Sequence, residues 1–262
     1  MKSNWQRIIL RHNLSSLIML IIAFSFSPFT YAAHPLITDD AATQGQGKFQ
    51  IEFNGQNDYD REGSIKTEKT ILGTTFSYGI IDPLDIVIGI PYLFLKTEND
   101  ALIKNEGLAD VSLDLKWKFY ERDNLALALK PGITLPIGDE QKSLGSGQVT
   151  YRLFFVSTLE KNPWAWHFNL GYIRNENKLE ERVDLWHVSL ATWVEVVKDL
   201  KLVANIGLEE NREKSKNEPP AFLLGGIIYS CTENFDLDFG LKLGLNGPET
   251  DFSVLAGLAW RF

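Results

Sequence analysis

Phe252-Ser253-Val254-Leu255-Ala256-Gly257-Leu258-Ala259-Trp260-Arg261-Phe262 closes the chain. Phe252, Val254, Ala256, Leu258, Trp260 and Phe262 fall on one side of a period-two segment, and Ser253, Gly257, Ala259 and Arg261 fall mostly on the other. One face is greasy and the other small or polar, as in a strand with two different surroundings. The segment has about the length of a tilted strand that crosses a bilayer. A closing strand of a soluble sandwich would show the same alternation, so the rest of the chain has to decide.

The opposite terminus reads as an export address. Lys2, Arg7 and Arg11 precede the apolar run Leu14 to Phe26, then a break at Pro28 and the small residues Thr30, Ala32 and Ala33. This is the order of a cleaved secretory signal. Thr30 suits the position three before cleavage better than bulky Tyr31, so residues 1–32 are expected to be removed after Ala32 rather than Ala33. The run is short for a spanning helix, and no Cys follows the cleavage site to carry a lipid. Residues 33–47 then form a polar, glycine-containing periplasmic lead-in, with 48–262 as the folded part.

Composition excludes several classes. The chain carries a formal charge of −8. Lys2, Arg7 and Arg11 are the only charged residues of the first 32, so the remainder holds 23 basic residues against 34 acidic ones, near −11. That opposes nucleic-acid binding, which needs a basic footprint. One cysteine, Cys231, allows neither an internal disulfide nor a paired-cysteine metal site. Mean hydropathy is −0.11. Barrels in membranes have such values because inward polar residues dilute the outward apolar ones.

Between the termini the alternation repeats. Val111, Leu113, Leu115, Trp117 and Phe119 interleave with Asp110, Ser112, Asp114, Lys116 and Lys118; Phe235, Leu237, Phe239, Leu241 and Leu243 interleave with Asp236, Asp238, Gly240, Lys242 and Gly244. About twelve such strands follow one another. Their connections alternate short and long: Asp82-Pro83, Glu121 to Asn124, Glu160 to Pro163, Lys198-Asp199 and Cys231 to Asn234 are tight, whereas 57–66, 97–107, 137–147, 174–182, 210–219 and 246–251 read as long polar loops. Short periplasmic turns and long outer loops are the rhythm of a transmembrane barrel. The expected fold is therefore all-β, a transmembrane antiparallel up-and-down barrel of about twelve strands, closed because unpaired backbone is not tolerated in lipid. Phe49, Tyr78, Trp117, Phe119, Trp164, Trp166, Phe235, Trp260 and Phe262 gather near the short-turn ends, and Tyr92, Phe94, Tyr151, Tyr172, Phe222 and Phe252 near the others, as two interfacial girdles. Parity slips between Val183 and Val194, where a bulge is expected, and Tyr151 to Val156 is apolar on both faces.

The terminal aromatic strand resembles that of bacterial outer-membrane barrels, in which Trp260 and Phe262 would serve as the signal read by the barrel-assembly machinery. Several stretches together resemble the family "Putative MetA-pathway of phenol degradation": His34-Pro35-Leu36-Ile37-Thr38-Asp39-Asp40 with Gly47-Lys48-Phe49-Gln50-Ile51-Glu52; Gly107-Leu108-Ala109-Asp110-Val111-Ser112-Leu113; Lys130-Pro131-Gly132-Ile133-Thr134-Leu135-Pro136-Ile137-Gly138-Asp139; Gly145-Ser146-Gly147; and the final eight residues. Where Ala109 stands, the family often has Gly. The resemblance implies a transporter-like channel of the bacterial outer membrane for small molecules, and the family name suggests aromatic or other hydrophobic organic compounds.

If the apolar face meets lipid, Lys48, Glu52, Asp114, Lys116, Lys118, Lys130, Arg152, Asp236, Asp238, Lys242 and Arg261 line the lumen. Their mixed signs predict weak ion selectivity. They read either as a charged constriction in a polar passage or as paired ions that hold a non-conducting, structural or receptor-like barrel in shape. A lipid hydrolase is the third alternative. His34, His167 and His187 are the histidines after the signal, and His187 shares a strand face with Ser189, but no nucleophile elbow is present. No catalytic residues are expected. Neither glycine pair, Gly45/Gly47 or Gly145/Gly147, makes a phosphate loop, and Asp39-Asp40 lacks the spaced oxygens of a calcium loop and reads as solvated lead-in. No cofactor or metal is expected. The expected partners are outer-membrane lipids, lipopolysaccharide, the assembly machinery and an unknown solute, with the chain acting as a monomer.

Overall fold

The computed structural model describes residues 34–99 and 101–262; the signal-like segment and its cleavage site lie outside them. Thirteen strand segments follow in order: β1 (Phe49–Glu62), β2 (Ile65–Ile81), β3 (Leu84–Glu98), β4 (Leu102–Leu108), β5 (Val111–Arg122), β6 (Leu125–Leu135), β7 (Thr150–Lys161), β8 (Trp164–Arg174), β9 (Asp184–Val197), β10 (Leu200–Glu209), β11 (Ala221–Thr232), β12 (Phe235–Gly244) and β13 (Phe252–Arg261). All pairings are antiparallel; β4 pairs with β3 alone, and β13 returns to pair with β1 from Gln50↔Arg261 to Tyr59↔Phe252. The sheet is thereby a closed barrel, with one side of β4 left unpaired at its end. β4 and β5 are two halves of one stave, since β3 pairs with both. The barrel thus has twelve staves.

The stave breaks at Ala109-Asp110. Gly89 faces Ser112 and Tyr92 faces Leu108, so the broken stave holds one residue more than β3 over this interval. That is a bulge. It coincides with Pro91, which has no N–H to give but accepts one from Ala109 at 2.9 Å. The freed Asp110 carboxylate receives the backbone N–H of Gly138 (3.0 Å) and both the N–H and hydroxyl of Ser146 (2.7 Å each). It thus fastens the β6–β7 connection, whose middle is a 3₁₀ turn at Glu140–Lys142.

The distribution of side chains is the reverse of a soluble protein's. Leu115, Trp117, Leu153, Leu170, Leu190, Leu202, Ile206, Leu223, Leu237 and Leu241 point outward and are exposed, while Asp114, Lys116, His167, Asn169, Ser189, Asn205 and Asp236 between them are buried in the interior. Leucine rows on the outside of a closed sheet require a lipid surround. Outward rings stack at the short-turn end: Phe49 lies 4.6 Å from Phe262, Trp260 4.5 Å from Phe262 and Trp164 6.1 Å from Trp166.

Four expectations need correction. The stretches 57–66 and 97–107 are not long loops. β1 and β2 pair all the way to Glu62↔Ile65, and β3 and β4 to Glu98↔Leu102. Their charges alternate across the strands rather than marking coil, with Lys96 Nζ 3.7 Å from Glu68. There is no slip between Val183 and Val194, because β9 pairs with β8 without interruption and Leu185 simply points inward. The register shift lies instead at Leu200/Lys201 beside the turn. Phe222 belongs to no girdle; it is buried inside, with the Lys242 ammonium 5.9 Å from its ring centre. Finally, Asp39-Asp40 is not a free solvated linker: both carboxylates are half-buried and paired with Lys116.

Candidate functional site: a lumen lined by the N-terminal segment

Residues 34–47 do not hang below the barrel; they wind along its inner wall and meet the strands in nearly reverse order. His34 Nδ1 lies 2.5 Å from Asp238 Oδ1 on β12. Asn205 on β10 accepts the N–H groups of Ile37 (2.8 Å) and Thr38 (3.1 Å). The Thr38 hydroxyl donates to Ser189 on β9 at 2.7 Å. Asn169 on β8 takes the Asp39 N–H and donates to the Asp39 carbonyl, both at 2.8 Å. The Ala41 N–H reaches Thr158 on β7 at 2.9 Å, and that of Gln44 reaches Asp85 on β3 at 2.9 Å. Gly47 then enters the sheet through the Gly79 carbonyl at 2.8 Å.

These contacts exist because an extended chain inside a barrel has no strand to pair with. Its buried amides need side-chain partners, and short amides and hydroxyls at inward positions provide them. Gly79 makes the entry possible, since a Cβ there would stand 1.9 Å from the Gly45 carbonyl oxygen. Leu36 and Ala41 add apolar contact. Leu36 packs among Ala191, Val203, Phe222, Leu224, Ile228 and Leu255; Ala41 packs against Ala128 and Val156. One sector of the inner wall is therefore apolar.

The predicted lumen residues fall into separate groups around this segment. Lys116 contacts Asp39 (3.0 Å) and Asp40 (3.4 Å), and Lys130 contacts Asp39 at 2.7 Å. Two lysines on β5 and β6 thus hold the carboxylates from one side while Asn169 holds the backbone. Glu52 faces the same charges. Arg152 grips Asp114 with two nitrogens at 2.7 and 2.6 Å. Gly132 between them leaves the room this pair needs, because a Cβ would lie 1.8 Å from Asp114 Oδ1 and displace it. Arg261 donates to Asp236 at 2.5 Å and Gln50 at 3.0 Å, bridging the closing seam. Asp238 holds His34, and Lys242 pairs with Glu249 at 2.7 Å toward the long-loop end. Lys118 pairs with Glu121 at 2.6 Å near the short turn, and Lys48 is exposed at the rim.

Charge and parity alone did not single out Asn169, Asn205, Thr158 and Asp85, and Ser189 stood out only as a candidate nucleophile. A signal was available: Asn is depleted in strands, and Asn169 and Asn205 each stand mid-strand on the inward parity. His187 also lies inside, with Nε2 2.9 Å from Ser189 Oγ and Nδ1 3.4 Å from Glu209 Oε2 on β10. The spacing is that of a hydrolytic triad, but the Ser189 hydroxyl is buried and engaged by Thr38. Among the described residues no group of acidic, histidine or cysteine side chains forms a metal cluster.

The profile of the family "Putative MetA-pathway of phenol degradation" matches residues 33–262. The chain belongs to this family. The family's stretches identified in the sequence meet in space: Asp110 joins the β6–β7 motifs, and Asp39 joins Lys130. Among solved structures the chain is similar to an outer membrane channel from Pseudomonas putida F1, at 16% identity and a TM-score of 0.67 over 85% of this chain and 98% of that one. It is also similar to the NanC porin (11% identity, TM-score 0.52, 80% and 98% covered) and to the translocator domain of the autotransporter NalP from Neisseria meningitidis (9% identity, TM-score 0.52, 83% and 89% covered). At these identities the likeness is one of fold. No curated protein matches by sequence.

Proposed function

We propose that the chain is a monomeric, non-catalytic outer-membrane channel for the passive passage of small organic molecules, narrowed by its own N-terminal segment. The observation that carries this reading is the segment itself. It lies in the lumen as an extra stretch of chain outside the sheet, held by hydrogen bonds, ion pairs and the apolar contacts of Leu36 and Ala41, so its position can change without breaking a strand pairing. A barrel serving only as a scaffold gains nothing from such a removable lining. Mixed charge supports weak ion selectivity. The apolar sector around Leu224, Ile228 and Leu255 supports solutes with a hydrophobic part, in keeping with the family's name. The short turns and Phe262 face the periplasm, and the long connections face outward, as is usual for such barrels. Outward leucines contact lipid, the outer charged hairpins meet lipopolysaccharide, and the Trp260–Phe262 end is read by the assembly machinery. Ser189 and His187 seat the segment rather than attack an ester.

The test is solute entry into liposomes containing purified protein, comparing the mature chain with a variant lacking residues 34–46. Slow entry by the first and several-fold faster entry by the second are expected, with small aromatic solutes among those admitted. No entry through either protein would overturn the channel reading in favour of a structural barrel.

A further inference from the structure

Cations at the long-loop end are unevenly satisfied. Arg174, Lys178, Arg182, Arg212 and Lys216 each have a carboxylate within 3.4 Å. The hairpins of β1 to β4 differ. Their pairing runs on without a register shift, so parity still tells which side chains face out. On β3, Lys96 and Glu98 follow Tyr92 and Phe94, whose rings lie 5.0 Å apart, on the outward face. Two residues advance a strand by about 7 Å, so these charges stand just beyond the apolar band. On the same face Arg61 is directly opposite Lys66, and Lys96 directly opposite Lys104. Like charges in opposed positions destabilise a strand pair. Among the described residues Lys66 and Lys104 have no ion pair to offset this. The Arg61 guanidinium donates to the Gly63 carbonyl at 3.3 Å, and Lys96 has Glu68 at 3.7 Å.

Arg61, Lys66 and Lys96 border a hollow of about 300 Å³ whose apolar wall is Tyr59. We propose that this hollow and the neighbouring Lys104 bind the phosphorylated glucosamine head of lipid A, the glycolipid of the outer leaflet; this rests on the outward orientation of the long connections taken above. A phosphate between the opposed cations turns their repulsion into attraction, and the guanidinium of Arg61 offers a fork of donors to it. The carboxylates at the hollow do not oppose this. Asp60 has the inward parity, and Asp251 accepts the Arg61 backbone N–H at 3.1 Å. Glu68 and Glu98 on the outward face supply acceptors for sugar hydroxyls and amides, which a bare anion would not need. Height selects a lipid over a free anion. Phe94, Ile90 and Leu72 continue the same wall downward and are exposed, which gives acyl chains a surface directly below the head. The whole chain carries a formal charge of −8, so general attraction does not draw phosphate here; the local arrangement of cations does.

The experiment titrates the mature chain, purified in detergent and stripped of glycolipid, with diphosphorylated lipid A, and reads retained lipid by native mass spectrometry. One tightly retained molecule per chain is expected. Lys66→Gln with Lys104→Gln changes exposed side chains, so heat-modifiable mobility should stay intact while affinity falls by about tenfold. Lys178→Gln with Lys216→Gln removes cations that already have carboxylate partners and should leave retention unchanged. Enzymatically dephosphorylated lipid A should bind as weakly as lipid A binds to the Lys66/Lys104 variant. Equal retention of the dephosphorylated lipid, or undiminished affinity in that variant, overturns the proposal. Displacement of lipid A by equimolar inorganic phosphate overturns the lipid as the source of the anion. Binding in detergent does not depend on conduction: specific retention by a non-conducting barrel keeps the site and removes the channel, and conduction without retention does the reverse.

Discussion

Asn169 holds the peptide of Asp39 from both sides, and no other side chain does so for this segment. Asn169→Ala leaves an N–H and a carbonyl without partners inside the barrel. At about 0.5–1.5 kcal/mol net for each bond, the released population should grow by about tenfold. Nitroxide mobility at residue 42 would register it, and an unchanged spectrum would mean that Asn169 is dispensable. Gly132→Ala acts on a different contact. Its Cβ displaces Asp114 from Arg152, and breaking a buried pair costs about 3–5 kcal/mol, so thermal unfolding should move downward by several degrees while outer-membrane targeting persists. Arg261→Ala strips Asp236 of a charged partner at the seam. The barrel should still assemble but melt earlier. Alternation puts Asp114, Lys116, Asp236, Asp238 and Lys242 on one strand face, and these are buried in the interior, whereas Lys48 is exposed at the rim. Their partners could not be read from the sequence, because Asp39 and Lys130 are 91 residues apart, and no local pattern reports a contact made by a segment that belongs to no strand.

At the scale of elements, the short turns were legible because Pro, Asp and Asn at 82–83, 123–124 and 162–163 impose tight geometry. The hairpins at 57–66 and 97–107 were misread for an equally physical reason. Above the bilayer both strand faces meet water, so the hydrophobic alternation that marks a strand disappears although the hydrogen bonds continue. The closing strand kept its signal because one side of it meets lipid along its whole length. Phe262 exchanges backbone bonds with Phe49 at 2.9 and 3.3 Å and stacks on its ring. Deleting Phe262 is expected to lower the yield of heat-modifiable barrel several-fold on semi-native gels. Undiminished yield would show that the terminal aromatic is no assembly signal.

At the scale of the molecule, closure follows from the pairing of β1 with β13, and its diameter from twelve staves. A barrel of this size leaves more interior than wall side chains fill, which is why a further stretch of chain finds room. From sequence alone that stretch reads as lying outside, because its glycines and charges resemble a solvated linker. Inside, the same charges are neutralised by Lys116 and Lys130. A narrowed channel requires that this segment occupy the lumen in the membrane. Thr38→Cys with Ser189→Cys, in a Cys231→Ser background, joins two hydroxyl positions now 2.7 Å apart. Single-channel recording of that variant is the most direct measurement. The expected result is spontaneous cross-linking with low conductance, rising several-fold on reduction. Failure to cross-link, or equal conductance before and after reduction, would contradict it.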